Sequence, residues 1–360
     1  IPYSEEKTWK GRTMTDSAKT SRLDELCVNT IRTLAIDGVQ KANSGHPGAP
    51  MALAGLAYAL WTRVMRYNPK NPGWFNRDRF VLSNGHASML QYAMLHLTGY
   101  DLSLDDLKSF RQWGSKTPGH PEVHLTPGVE TTTGPLGQGI MNSVGMAMAE
   151  AHMAAVYNRP EEKIVDHYTY AICGDGDMME GASHEAASLA GHLGLGKLVW
   201  FYDDNHISIE GPTDLAYSDN VAERFEAYHW HVQDLGEKGN NIDALVKAVQ
   251  AAKAVDDRPS LVIVRTHIGF GSPNMQDTST VHGAPLGVEE VALTKKAYGW
   301  PEDKHFFVPD EVRKHMLKAV ERGERLEAEW NEVFKAYENR FPAEAAAFEA
   351  ALSGSLPECW

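Results

Sequence analysis

Two short polar segments of this sequence combine residue types that bind divalent cations and phosphate oxygens. In residues 174–177 Asp175 lies between two glycines, and in residues 203–207 Asn205 follows two aspartates. A carboxylate, an amide oxygen and a main-chain carbonyl make a hard, oxygen-only site of low charge. Such a site suits Mg2+ or Ca2+, with diphosphate oxygens and water as the remaining ligands. Glycines beside Asp175 also let the backbone approach a phosphate closely.

A Gly-Asp-Gly segment alone is usually only a turn, but here each polar segment directly follows a predicted strand. Residues 168–173 and 198–202 are short runs rich in β-branched and aromatic side chains, and a helical stretch separates them. Ligands of an open parallel sheet bind at the carboxyl ends of its strands. The pairing therefore predicts a cation and phosphate site at one edge of a sheet.

The elements that must position this site alternate between strand and helix patterns. Other strands are predicted at 80–82, 230–235 and 261–265, and helices at 180–192, 220–228 and 242–255. This alternation predicts an α/β fold, a parallel β-sheet flanked by helices on both faces. Nearer the N-terminus, a first helix is predicted to begin at the N-cap Ser21 and a second to span residues 49–65.

Composition argues against several other classes of protein. The 360 residues carry 34 basic and 48 acidic side chains, a formal net charge of −14, with no block of Lys and Arg, so no nucleic-acid partner is predicted. The longest apolar run, residues 53–61, is far shorter than the roughly 20 residues that cross a bilayer, so no membrane partner is predicted. Cys27, Cys173 and Cys359 are widely spaced, which fits a reducing compartment. We therefore expect a cytoplasmic protein.

Further motifs indicate which protein family the sequence resembles. The sequence resembles the diphosphate-binding half of transketolases, in which the same motifs occur in the same order: GHPGAP (45–50), SNGHAS (83–88), TPGHPE (117–122), TTGPLGQG (132–139), GDGDMMEG (174–181), DDNHISIEG (203–211) and VHGAP (281–285). The resemblance covers about residues 20–300. It implies the thiamin diphosphate-binding fold, with thiamine diphosphate and Mg2+ as cofactors and Ca2+ or Mn2+ as alternative metals.

The resemblance also implies which residues hold the cofactor and the metal. The metal ligands would be Asp175, Asn205 and the main-chain carbonyl of Ile207. Residues 134–136 would lie beside the aminopyrimidine ring. The full set of implied cofactor contacts is His86, Gly134, Pro135, Leu136, Gly176, Asn205 and His282.

Three histidines are implied to be catalytic and to bind substrate. His46 and His282 resemble the pair that binds the reacting oxygens and helps to move protons, and His120 resembles the residue that binds the terminal hydroxyl of the donor. Imidazole suits this role because its pKa lies near neutrality, and one such group contributes about 10²–10⁴ in rate. Several other histidines, including His152, His167, His192 and His229, are interpreted as ordinary hydrogen-bonded surface or core residues.

The implied activity is the transfer of a two-carbon glycolaldehyde unit from a ketose phosphate to an aldose phosphate. The glutamate that activates the cofactor in this family belongs to a second, pyrimidine-binding domain, beyond residue 360. We therefore expect sugar-phosphate substrates, and a homodimer or a partner chain that carries the pyrimidine domain. The chain alone is expected to bind Mg2+ and thiamine diphosphate weakly and to be inactive.

Three regions are expected along the chain. Residues 1–13 are interpreted as a non-native or disordered leader, because Met14 followed by a polar run resembles a natural start. Residues 14–310 are expected to form the diphosphate-binding domain, and residues 311–360 a long helical C-terminal arm, broken at Pro342, with the start of an interdomain linker. A fragment, a truncated open reading frame and one chain of a split enzyme all stay open as origins.

Several alternatives remain beside the transketolase interpretation. Deoxyxylulose-phosphate synthase and the alpha subunit of pyruvate-dehydrogenase-type complexes are disfavoured by residues 117–122 together with 281–285. A dihydroxyacetone synthase is not separated from a transketolase by sequence. A non-catalytic cofactor-binding subunit is disfavoured because a scaffold has no need of His46 and His282. Glu180 and Glu185 fit a subunit interface and the charged start of a helix equally well.

Overall fold

The computed structural model describes residues 16–355, with side chains from residue 22 onward. The expected leader at residues 1–13 and Cys359 lie outside the described residues. The strands are β1 (Arg79–Leu82), β2 (Thr169–Gly174), β3 (Leu198–Asp204), β4 (His231–Asp234) and β5 (Ser260–Arg265). The helices are α1 (Asp16–Ala42), α2 (Gly48–Ala59), α3 (Ser88–Thr98), α4 (Leu104–Lys108), α5 (Gln138–Tyr157), α6 (Asp175–Met179), α7 (Gly181–His192), α8 (Val221–Ala227), α9 (Ile242–Lys253), α10 (Val288–Ala297), α11 (Asp310–Met316), α12 (Lys318–Arg340) and α13 (Pro342–Ser353).

The strands form one parallel sheet with the order β1-β2-β3-β5-β4. Each predicted strand is present within one or two residues of its predicted bounds, which confirms the α/β fold class. The register pairs Gly174 with Asp203 and Asp203 with Val264. The polar segments after β2 and β3 therefore begin side by side at the carboxyl edge of the sheet.

Helices cover both faces of the sheet. In β2, Tyr170 and Ile172 belong to a core shared with α1, α2, α3 and α9, whereas Ala171 and Cys173 belong to a core shared with α5, α7 and α8. Successive strand residues point to opposite faces, so a strand buried on both sides is apolar at every position. This explains why the central strands appear in the sequence as unbroken apolar runs.

Two helix predictions differ from the structure. The first helix begins at Asp16 and not at Ser21, since neither Gly nor Pro stands between them to interrupt the backbone hydrogen bonding. The second helix ends at Ala59, and the chain continues to Val64 as one turn of π-helix. The guanidinium of Arg322 in α12 donates hydrogen bonds to the carbonyls of Trp61 and Thr62, 2.5 and 2.6 Å away. These bonds satisfy carbonyls at this irregular turn.

The C-terminal helices pack against the earlier part of the chain. Tyr337 and Phe348 are fully buried with Ile164 and Val165 in a small apolar cluster. The Glu327 carboxylate accepts hydrogen bonds from the Asn68 side chain at 2.5 Å, and from that of Asn71. The helical arm is therefore present as predicted, and it lies on the domain. Within residues 16–355, none of the helices is both long and apolar enough to pass through a bilayer.

Candidate active site

One cavity of about 460 Å³ lies at the carboxyl edge of the sheet. Of the residues implied by the sequence, all except Pro135 line it: His46, His86, His120, Gly134, Leu136, Asp175, Gly176, Asn205, Ile207 and His282. Pro135 lies between two of the lining residues. Segments separated by more than 200 residues thus meet in a single site at the carboxyl ends of the strands, where ligands of an open parallel sheet bind.

Asp175 and Asn205 form the polar floor of this cavity. Asp175 is only 4% exposed, and its carboxylate accepts hydrogen bonds from the Tyr202 hydroxyl at 2.6 Å and the His206 N–H at 3.2 Å. The Asn205 side chain accepts from the Ile207 N–H at 2.9 Å and donates to the Asp203 carboxylate at 3.0 Å. That donation fixes the orientation of the amide and leaves its oxygen on the side of Ile207.

Burial makes two carboxylates here costly to ionise. It raises the pKa of Asp175 to about 6, although the hydrogen bond from Tyr202 opposes the shift. It raises the pKa of Asp203 to about 7, and the negative charge of Asp175 adds to that effect. Because a bound cation would offset this cost, the donor set fits a hard divalent metal.

Three imidazoles cluster together in the same cavity. The ring centroid of His46 lies 4.9 Å from that of His86 and 5.8 Å from that of His282, and His86 stacks on His282 at 5.2 Å. Burial, and then the nearby His282 and Arg111, lower the pKa of His46 to about 4. Burial also lowers the pKa of His282 and His120, and takes that of His86 well below its ordinary value. These imidazoles are therefore neutral at physiological pH, each with one N–H donor and one acceptor nitrogen.

Glycines let the motif segments approach one another. A Cβ at Gly176 would lie 2.8 Å from a methyl carbon of Leu136, and one at Gly85 would lie 2.5 Å from the Thr133 hydroxyl. A Cβ at Gly48 would lie 2.7 Å from the Val281 carbonyl. Side chains at these positions would push apart the segments that carry Gly134, His86, His46 and His282, so the cavity depends on these close contacts.

Comparison with known proteins identifies the family. A family profile described as "Transketolase, thiamine diphosphate binding domain" matches residues 23–357. The chain belongs to the transketolase family. Its matched region is the thiamine diphosphate binding domain of that family, which confirms the resemblance seen in the motifs.

Transketolase relatives share much of the sequence and the fold. A transketolase of Nostoc sp. is 59% identical over 342 residues, which cover 95% of this chain and 51% of the relative. A chloroplast transketolase of Zea mays is 56% identical over 97% of this chain and 52% of the relative. A crystal structure of a Pichia stipitis transketolase variant superposes with a TM-score of 0.92 and 50% identity, covering 94% of this chain and 50% of that one. The chain thus spans about half the length of these transketolases.

The motif comparison missed several polar residues of the site. Asp203 and Asn84 line the cavity, and the side-chain oxygen of Asn84 is buried without a partner among the described residues. Asp177 also lines the cavity and is fully buried. The sequence did contain a signal for Asp177: a second aspartate follows Gly-Asp-Gly directly after a predicted strand. A carboxylate at a buried strand end needs several hydrogen-bond donors, so this aspartate could have been predicted to bond to neighbouring segments.

Proposed function

We propose that this chain supplies the diphosphate and metal half of a transketolase active site. The whole site would transfer a two-carbon glycolaldehyde unit from a ketose phosphate to an aldose phosphate. One observation carries the proposal: in a chain of this family, Asp175 and Asn205 line the same cavity as the histidines His46, His86 and His282.

The donor set supports the cofactor and metal contacts that the family resemblance implies. Asp175, Asn205 and the carbonyl of Ile207 would hold Mg2+, and His86 and Gly176 would meet the diphosphate. The buried carboxylates and the exclusion of side chains at Gly176 support this assignment. When bound, thiamine diphosphate supplies the carbon nucleophile for cleavage next to the ketose carbonyl.

The neutral histidines suit proton transfer at the substrate oxygens. The Nδ1 atoms of His46 and His282 are buried and have no partner among the described residues. Each imidazole can donate a proton from one nitrogen and accept one at the other, so the pair would bind the reacting carbonyl and hydroxyl oxygens. His120, across from Gly134, would bind the terminal hydroxyl of the donor.

Sugar phosphates are the proposed substrates. Crystal structures of Pichia stipitis transketolases are complexes with xylulose 5-phosphate, fructose 6-phosphate and sedoheptulose 7-phosphate. The 50% identity between that enzyme and this chain supports the same substrate class here. A dihydroxyacetone synthase activity is the second candidate, and a formaldehyde acceptor would distinguish it from transfer to an aldose phosphate.

A second copy or a partner chain carrying the pyrimidine domain is the proposed partner. Leu136, Met179 and Ile209 line the cavity and are 36–63% exposed. Met148 on α5 and Leu189 on α7 are also exposed apolar side chains. Glu180, at the N-cap position of α7, and Glu185 within α7 are both exposed, which suits an interface as well as a solvated helix start. The partner would cover these side chains and complete the site.

A two-carbon transfer assay tests the proposal. Xylulose 5-phosphate and ribose 5-phosphate would be supplied with thiamine diphosphate and Mg2+, first to the chain alone and then with a separately expressed transketolase pyrimidine domain. We expect no turnover alone and turnover on mixing, with the Asp175→Asn variant inactive in both. Turnover by the chain alone would contradict the half-site proposal. No turnover in either assay, together with no cofactor binding by calorimetry, would contradict the proposed function itself.

A further inference from the structure

Asp177 is a fully buried carboxylate that receives hydrogen bonds from three different segments of the cavity wall. One oxygen accepts from the Ser83 hydroxyl at 2.7 Å and from the Gly137 N–H at 2.7 Å. The other accepts from the Gly174 N–H at 2.9 Å. Its surface exposure is 0%. A single side chain therefore joins the end of β1, the turn before α5 and the end of β2.

Each of these three segments carries residues that line the cavity. Ser83 is followed by Asn84 and His86, and Gly137 is preceded by Gly134 and Leu136. Gly174 leads directly into the Asp175 and Gly176 pair. The side proposed for the cofactor ring and the side proposed for its diphosphate are thus both bonded to the same carboxylate.

The groups around Asp177 are themselves hydrogen-bonded and closely packed. The Ser83 hydroxyl also accepts the Ile140 N–H at 3.1 Å, and the main-chain carbonyl of Asp177 accepts the Ser183 hydroxyl at 2.6 Å. A Cβ at Gly139 would lie only 2.5 Å from the Ser83 Cα. Loss of the carboxylate would leave the buried Ser83 hydroxyl and the buried Gly137 and Gly174 N–H groups without this acceptor.

We propose that Asp177 is a positioning residue, which fixes the ring-side turn at residues 133–137 relative to the diphosphate-side segment at residues 174–176. This inference rests on the proposed function, since it assigns the two segments to two ends of one cofactor. A ligand that spans both segments binds tightly only when their separation is fixed in advance. Asp177 would thus affect cofactor affinity indirectly. It would hold in place the backbone of the two segments whose residues are proposed to contact the cofactor.

The Asp177→Asn variant tests this role, because it keeps the shape but replaces one acceptor by a donor. We expect the affinity for thiamine diphosphate in the presence of Mg2+, measured by calorimetry, to fall about 10- to 100-fold. Hydrogen exchange in the cofactor-free chain should become faster at the amides of Gly137, Ile140 and Gly174 and stay unchanged in β5. Asp234→Asn is the matched control: it changes a carboxylate at the same sheet edge that accepts the Gly236 N–H at 2.8 Å but is exposed.

Cofactor affinity and hydrogen exchange together distinguish a failure of this inference from a failure of the proposed function. Equal affinity together with equal local exchange would overturn the proposal, as would faster exchange spread evenly through β5, which indicates a purely structural residue. A parent chain that binds no thiamine diphosphate would contradict the proposed function, and the exchange measurement would still decide the bonding role of Asp177. If the asparagine variant does not fold, Ser83→Ala removes one donor and keeps the carboxylate. We expect a smaller, local effect from that change. The absence of any effect would overturn the proposal.

Discussion

The cavity keeps His46 uncharged. Burial is the largest cause of its lowered pKa of about 4, and the adjacent His282 and Arg111 contribute in the same direction. A neutral imidazole next to a reacting oxygen can act as acid at one nitrogen and base at the other. A permanently protonated ring could only donate. The surroundings of His46 therefore favour the protonation state that two-way proton transfer requires.

Replacing His46 by Gln should separate chemistry from cofactor binding. Glutamine still forms hydrogen bonds, but it cannot exchange a proton, so we expect turnover of the complemented enzyme to fall about 10²–10⁴-fold. Calorimetric affinity for thiamine diphosphate should stay within a factor of about three, because the role proposed for His46 is at the substrate and not at the cofactor. His229→Asn, an exposed turn position, is the control. Parental turnover in the Gln variant would remove His46 from the mechanism.

At the scale of elements, a buried ion pair connects helices that flank the site. Lys295 of α10 is fully buried, and its ammonium donates to the Asp37 carboxylate at 2.6 Å and to the Lys304 carbonyl at 2.7 Å. Asp37 of α1 also accepts the Phe306 N–H at 2.7 Å. The segment that carries His282 leads directly into α10 and is held to α1 at Gly287. The ion pair thus fixes the wall of the cavity that holds His282.

Removing one partner of this ion pair should lower the stability of the fold. Lys295→Met would leave the buried Asp37 charge without its counterion, which typically lowers the free energy of unfolding by about 3–5 kcal/mol. Urea denaturation of the variant measures this loss. The adjacent Lys296 is exposed, and Lys296→Met should change the free energy of unfolding by less than about 0.5 kcal/mol. The double variant Asp37→Asn with Lys295→Met should cost less than the two single changes summed, since neither residue then leaves an unpaired charge.

The two elements that carry the proposed metal site were predictable from sequence because their signals are local. Apolar runs define β2 and β3, and the glycines and polar residues after them mark the sheet edge. These signals were enough to predict that Asp175 and Asn205 lie close together. The Asp37 and Lys295 pair joins residues far apart in the chain and leaves no periodic pattern. The π-helical turn after α2 likewise depends on Arg322 from α12, which no local propensity encodes.

On the scale of the whole molecule, the C-terminal helices and the sheet domain share buried surface. Arg322 and Glu327 bond α12 to the segment after α2, and Tyr337 and Phe348 are fully buried against residues 164 and 165. We therefore propose that residues 311–355 fold together with the expected domain at residues 14–310 as one cooperative unit. Contacts of this kind make unfolding all-or-none, so one denaturation midpoint should describe both parts.

The same buried surface makes the whole fold sensitive to acid. His167, only 4% exposed, packs edge-on against Phe75 at a centroid distance of 5.6 Å, and its Nδ1 has no partner among the described residues. Burial, followed by the positive Arg79 and Lys197, lowers the pKa of His167 to about 2. In the unfolded chain its pKa is about 6.5, so between about 6.5 and 2 the unfolded state binds more protons. Stability contributed by this site therefore falls as pH falls through that window.

Replacing His167 by Gln should make acid destabilisation less steep. Urea midpoints measured between pH 7 and 4 should fall less with acidification in the variant than in the parent, because the group that takes up a proton on unfolding is gone. Burial raises the pKa of Asp203 to about 7, which acts in the opposite direction, so only the difference between variant and parent isolates His167. His229→Asn, at an exposed position, should keep the parental slope. Equal slopes for parent and His167→Gln would show that His167 is not buried as a neutral ring.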